Sequence, residues 1–141
     1  MDTDPRTGMT ILDEEASWEL FRSADVVRLA VVAAGDLEIF PINAVADGRT
    51  IVFRTGEGTK LAALTIAGQV ALEADGYDVA AGEAWSVVIK GDAERLESFS
   101  DIERTEQLAL PEWTGHPKQW FVRVYPTEIS GRRFPRGANT A

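Results

Sequence analysis

The chain has 141 residues, no cysteine, one histidine and a formal charge of −9 from 14 Lys plus Arg against 23 Asp plus Glu. That length fits one domain, and 45% hydrophobic with 26% charged residues fits a folded globular chain. The missing cysteine excludes disulfides, thiolate catalysis and Cys-ligated metals, the single His116 excludes multi-His metal sites, and the acidic balance disfavours a general nucleic-acid binder.

Residues 1–10 read as a flexible polar lead-in. Asp13 is placed to cap a helix whose first turn holds Glu14 and Glu15, and Trp18, Leu20 and Phe21 give it an apolar stripe. Val26 to Val32 reads as a strand, Ala34-Gly35-Asp36 as a turn, and Leu37 to Val45 as the next strand. Pro41 cannot donate to a ladder, so that strand is expected to be interrupted or to lie at an edge there. Asp47-Gly48 signals a hairpin into a strand from Thr50 to Thr55, which predicts a three-strand meander. A short helix from Thr59 to Ala67, closed by Gly68, precedes a strand from Gln69 to Ala74. After a polar loop, Glu83 to Leu96 holds a long strand in which Gly91 suggests a bulge or bend. A helix from Ser100 to Leu110, a loop containing Trp113 and His116, and a last strand from Gln119 to Ser130 complete the domain, expected over residues 11–134. Residues 135–141 read as a flexible tail. The fold class expected is mainly β: a six-stranded antiparallel split barrel of Greek-key type with two or three peripheral helices.

One segment carries chemistry in its own right. Phe53-Arg54-Thr55-Gly56-Glu57-Gly58-Thr59-Lys60-Leu61 is a strand end, a glycine turn and a helix start. Helix N-termini present unpaired N–H groups and a positive dipole end, which suits a phosphate. Arg54 and Lys60 add charge and Thr55 and Thr59 add hydroxyls. The same residues also suit an ordinary capped turn with solvated cations, and spacing alone leaves both readings open. Neither GxxxxGK[ST] nor GxGxxG is present.

Taken in order, Arg28-Leu29-Ala30-Val31, Phe40-Pro41-Ile42-Asn43, Phe53-Arg54-Thr55 with Gly58-Thr59-Lys60-Leu61, Trp85-Ser86-Val87-Val88 with Gly91, and Ile129-Ser130-Gly131-Arg132 resemble the pyridoxamine 5′-phosphate oxidase-like, FMN-binding split-barrel family in its short bacterial form. The resemblance spans roughly Leu12 to Phe134. It implies a homodimer with FMN in a groove between subunits. It implies that Arg54, Thr55, Thr59 and Lys60 hold the FMN phosphate. Pro41, Ile42 and Asn43 would lie along the isoalloxazine ring, and Trp85 and Ser86 near the ring or ribityl chain. Arg132 or Arg133 is implied to reach the cofactor from the second subunit. Counterparts of the Arg and His residues that bind substrate phosphate in longer relatives are missing, which argues against true pyridoxamine phosphate oxidation.

The activity implied is hydride transfer to or from an unknown small molecule by an FMN-dependent oxidoreductase. A carrier or sensor module binding flavin or haem without turnover, and a deazaflavin-dependent reductase, stand as alternatives. No catalytic side chain and no metal site is assigned. A polar, acidic segment from Met1 to Met9 and the lack of an apolar run near 20 residues make the cytoplasm the expected location, with no membrane partner.

Overall fold

The computed structural model describes residues 2–33, 35–56, 68–96 and 119–135. Among these are nine strands and one helix: β1 (Asp2–Thr3), β2 (Thr10–Leu12), α1 (Glu14–Ser23), β3 (Val27–Ala33), β4 (Asp36–Ile42), β5 (Ala44–Asp47), β6 (Thr50–Gly56), β7 (Gln69–Asp78), β8 (Glu83–Arg95) and β9 (Gln119–Pro135). The expected helices at Thr59 to Ala67 and Ser100 to Leu110, the loop with Trp113 and His116, and the tail from 136 lie outside the described residues.

Local signals account for α1. The Asp13 carboxylate accepts from the Ala16 backbone N–H at 2.8 Å, satisfying a donor that the helix cannot pair itself. Trp18 and Phe21, one helical turn apart, meet edge to face at 6.1 Å between ring centroids and enter the main core. Arg49 places its guanidinium 5.3 Å from the Trp18 centroid and pairs with Glu15, tying the β5–β6 turn to the helix.

Every strand pairing is antiparallel. The main path runs β5-β6-β9-β8-β7-β3-β4. The strands at its two ends, β4 and β5, are consecutive in sequence and joined through Asn43 alone. A sheet whose two edge strands are one residue apart must curl. The curl is therefore closed covalently, and Asn43 Nδ2 anchors the join by donating to the Asp25 carbonyl at 2.7 Å.

Seven of the nine strands fall on the six expected strand segments, because the expected second strand is divided at Asn43 into β4 and β5. The lead-in adds β1 and β2, so the count is nine rather than six. The meander pairings are present in order, β3 with β4 and β5 with β6, but the second strand breaks at Asn43, so its two halves serve different hairpins. β6 pairs with β5 and with β9 from Gln119 to Val124, while β3 pairs with β4 and β7. Hairpin signals are local, whereas the outer partner of each hairpin is set by the curl.

The last strand runs to Pro135 instead of ending near Ser130. β8 occupies one edge of β9 from Val122 to Pro135, so β6 and β2 share the other edge at opposite ends, over Gln119–Val124 and Gly131–Arg133. Gly91 does mark a bulge: the register slips between Lys90, opposite Glu128, and Gly91, opposite Pro126. A Cβ at Gly91 would collide with the Tyr125 carbonyl oxygen, so only glycine lets β9 pass there.

Alternation sorts each strand into an inner and an outer face. The inner face is apolar. Val27, Leu29, Val31, Ile51, Phe53, Val70, Leu72, Ala74, Val87, Ile89, Val122 and Val124 form one buried cluster with Trp18 and Phe21. At roughly 1.5–3 kcal/mol for each large side chain, this cluster is the main stabilising term. Among the described residues no helix is long and apolar enough to cross a membrane.

Candidate functional site

The segment singled out for phosphate begins at the end of β6. Phe53 is buried in the core, Thr55 is buried, and Arg54 is half-buried with its guanidinium 5.4 Å from the Phe121 ring centroid. Thr59 and Lys60 lie outside the described residues. The register sets Thr55 opposite Trp120 and Arg54 opposite Phe121. Trp120 lies near the start of β9. Its indole Nε1 is buried with no hydrogen-bond partner among the described residues, and Arg95 stacks on its ring at 3.7 Å. A buried donor without an acceptor costs about 1–3 kcal/mol, so an oxygen-rich ligand at this strand end would relieve a penalty. A guanidinium, a hydroxyl and an indole N–H all donate, and none of them is a carboxylate; this set fits an anion.

The residues expected along a ring divide between the two faces. On β4, Pro41 faces outward and is exposed, while Ile42 turns inward at 8% exposure. Asn43 is committed to Asp25 at the join. On β8, Trp85 turns inward and packs against the core, directly opposite Gly76 on β7. A Cβ on Gly76 would stand 2.8 Å from Trp85 Nε1, so the glycine is what admits the indole. Ser86 faces outward, opposite Asp75 on β7 and Arg132 on β9. Arg133 is directed to Glu83 at 3.5 Å. Pro41 and Ser86 thus share the outer face, and Ile42 and Trp85 do not join them there. Alternation within β4 and β8 accounts for this, because successive side chains in the body of a sheet point to opposite faces.

Between Pro41 and Ser86 the register inserts a charged cluster. Pro41 stands opposite Arg28, and Arg28 stands opposite Glu73. Arg28 Nη1 donates to Glu73 Oε1 at 3.2 Å and to Asp75 Oδ2 at 3.0 Å. Burial and the neighbouring Asp75 carboxyl push Glu73 up to about 7, against the pull of Arg28. Arg28 entered the sequence reading only within the family resemblance, and Glu73 was not singled out. Sequence separations of 45 and 47 hid the contact. The alternation Ala71, Glu73, Asp75 was the available signal that both carboxylates leave β7 on one side.

Further along the outer face lies a shallow groove of about 390 Å³. Its floor holds Ala30 and Ala71, with Val32 and Leu37 on one wall and Lys90 and Glu128 on the other. Val32, Leu37 and nearby Ile39 are exposed.

This architecture, a curled antiparallel sheet joined at Asn43 and, among the described residues, one helix packing a single face against its core, is of the split-barrel class. The family profile described as pyridoxamine 5′-phosphate oxidase matches residues 13–133, and the chain belongs to that family. A curated but uncharacterized protein of Mycobacterium tuberculosis is 43% identical over 90 residues, which are 64% of this chain and 80% of that protein. Among solved structures, an FAD binding protein from Mycobacterium smegmatis is 40% identical with a TM-score of 0.82, covering 91% of this chain and all of that one. A conserved protein of unknown function from Corynebacterium diphtheriae is 35% identical with a TM-score of 0.77, covering 93% and 99% of the two chains.

Proposed function

We propose that this chain binds FMN and acts as a flavin-dependent oxidoreductase on a small molecule other than pyridoxamine phosphate, in the cytoplasm. The observation that carries the reading is the end of β6, where Arg54, Thr55 and a buried Trp120 N–H with no partner among the described residues lead into Gly58-Thr59-Lys60. Family membership and the mycobacterial FAD binding relative support it. Bound flavin would supply hydride chemistry at its ring. Arg54, Thr55, Thr59 and Lys60 would neutralise and orient the phosphate, while Pro41 and Ser86 would border the ring on the outer face. Ile42, Asn43 and Trp85 would act behind it, fixing the backbone that carries Pro41 and Ser86.

The chain is proposed to work as a homodimer. Val32, Leu37 and Ile39 expose apolar surface beside the groove, and a second copy would cover it. Light scattering should then give about twice the monomer mass.

The purified protein should be yellow or take up FMN on titration. Lys60→Ala should weaken FMN binding by about 1.5–3 kcal/mol, the usual range for a charged contact. Protein that takes up neither FMN nor FAD would sink the reading. The mycobacterial relative favours one variant of it, in which FAD is the resident flavin; chromatography of the flavin released on denaturation separates the two.

A further inference from the structure

The Arg28, Glu73 and Asp75 cluster lies where the proposed ring site needs a floor. From β4 to β8 is three strand steps, about 14 Å at ~4.8 Å each, which is room for a fused tricyclic ring. Pro41 borders one side of that span and Ser86 the other, and the cluster lies between them on the same face.

With both carboxylates ionised and Arg28 charged, the cluster carries one net negative charge. A planar ligand laid over it removes water from that charge, and a phosphate on the ligand adds like-charge repulsion. With one proton shared by the carboxyls the cluster is neutral, and both costs fall. Glu73, held near 7, takes that proton at modest expense.

Other charges on this face do not substitute for it. On β8 the residues opposite Glu73 and Asp75 are Val88 and Ser86, and Lys90 is engaged with Glu128 of β9 at 3.8 Å. Arg132 of β9 stands beyond Ser86, and Tyr77 lies further along β7. On β4, Pro41 and Ile39 carry no charge.

We propose that the Glu73–Asp75 pair, clamped by Arg28, is the proton-uptake group of the ring site, so that flavin binds with one proton and is released as the pair ionises. This rests on the reading of the outer face between Pro41 and Ser86 as the ring site.

The test is the dissociation constant of FMN from pH 5.5 to 9, followed by flavin fluorescence. Riboflavin runs in parallel because it lacks the phosphate, which itself titrates near pH 6. Riboflavin binding should be constant at low pH, and binding of both ligands should weaken up to tenfold per pH unit above about 7. Glu73→Gln should remove the bend and bind tightly at pH 8.5. Asp75→Asn should move the bend to lower pH, because it removes the neighbour that holds the Glu73 proton; a merely structural role would not shift it. His116→Gln should leave the bend in place. Wild-type affinity that is flat with pH, or a bend that disappears with His116, overturns the proposal and leaves flavin binding standing. Failure to bind either flavin at any pH sinks the site reading and this inference with it.

Discussion

On the inner face of β7, Val70, Leu72 and Ala74 are sealed into a core shared with β3 and β8. On the outer face of the same strand, Ala71, Glu73 and Asp75 meet a groove and an arginine. One strand thus serves two purposes, set by nothing more than the period of two. The inner residues are interchangeable in kind, since any well-packed aliphatic would do, whereas the outer ones are specific in chemistry. Stability is expected to reside on the first face and ligand response on the second.

The sharpest way to break that comparison is Leu72→Ala, at a fully buried position. It should cost about 3–4 kcal/mol in chemical denaturation, and an outer-face change of equal cost would refute the division. Next in size is Gly91→Ala. Its new methyl meets backbone atoms of Tyr125 and Pro126, which cannot swing aside, so about 2 kcal/mol should be lost from unfolding stability. A smaller effect comes from Glu73. Its carboxyl is raised from an ordinary 4.5 to about 7 in the fold, so the stability it lends is full below pH 4.5 and is lost as pH rises through 7. The loss should stay below about 1 kcal/mol because water screens the half-exposed cluster. Glu73→Gln should abolish that slope in pH-dependent denaturation. Smallest of all, Ile39→Thr on the exposed outer face should leave monomer stability within about 0.5 kcal/mol while reducing any self-association seen by light scattering.

What the sequence made legible follows range. Asp13 and its helix and the Asp47-Gly48 hairpin depend on residues a few positions apart, the Gly91 bulge is signalled by a lone glycine within a strand, and all are present. Gly48 adopts φ 61° in the two-residue turn, as that hairpin needs. The pairing of β6 with β9 was not legible, because it joins segments some 70 residues apart and depends on how the whole sheet curls. The candidate site shows the same split. Arg54 and Thr55 could be named from a strand-glycine-helix pattern. The Arg28 contact to Glu73 and Asp75 required a register that only the folded sheet supplies. Trp85 and Ser86, named as a pair, part to opposite faces because the alternation that builds the core also decides what a ligand can touch.

The position of Pro41 has one more consequence. β4 is the end strand of its path, and an open edge of backbone donors and acceptors is a template on which foreign strands can grow. A residue with no N–H interrupts that template midway along the strand, and Asn43 then diverts the chain into β5. The same proline that would border a ring on one face therefore also guards the molecule against fibrous association along its rim.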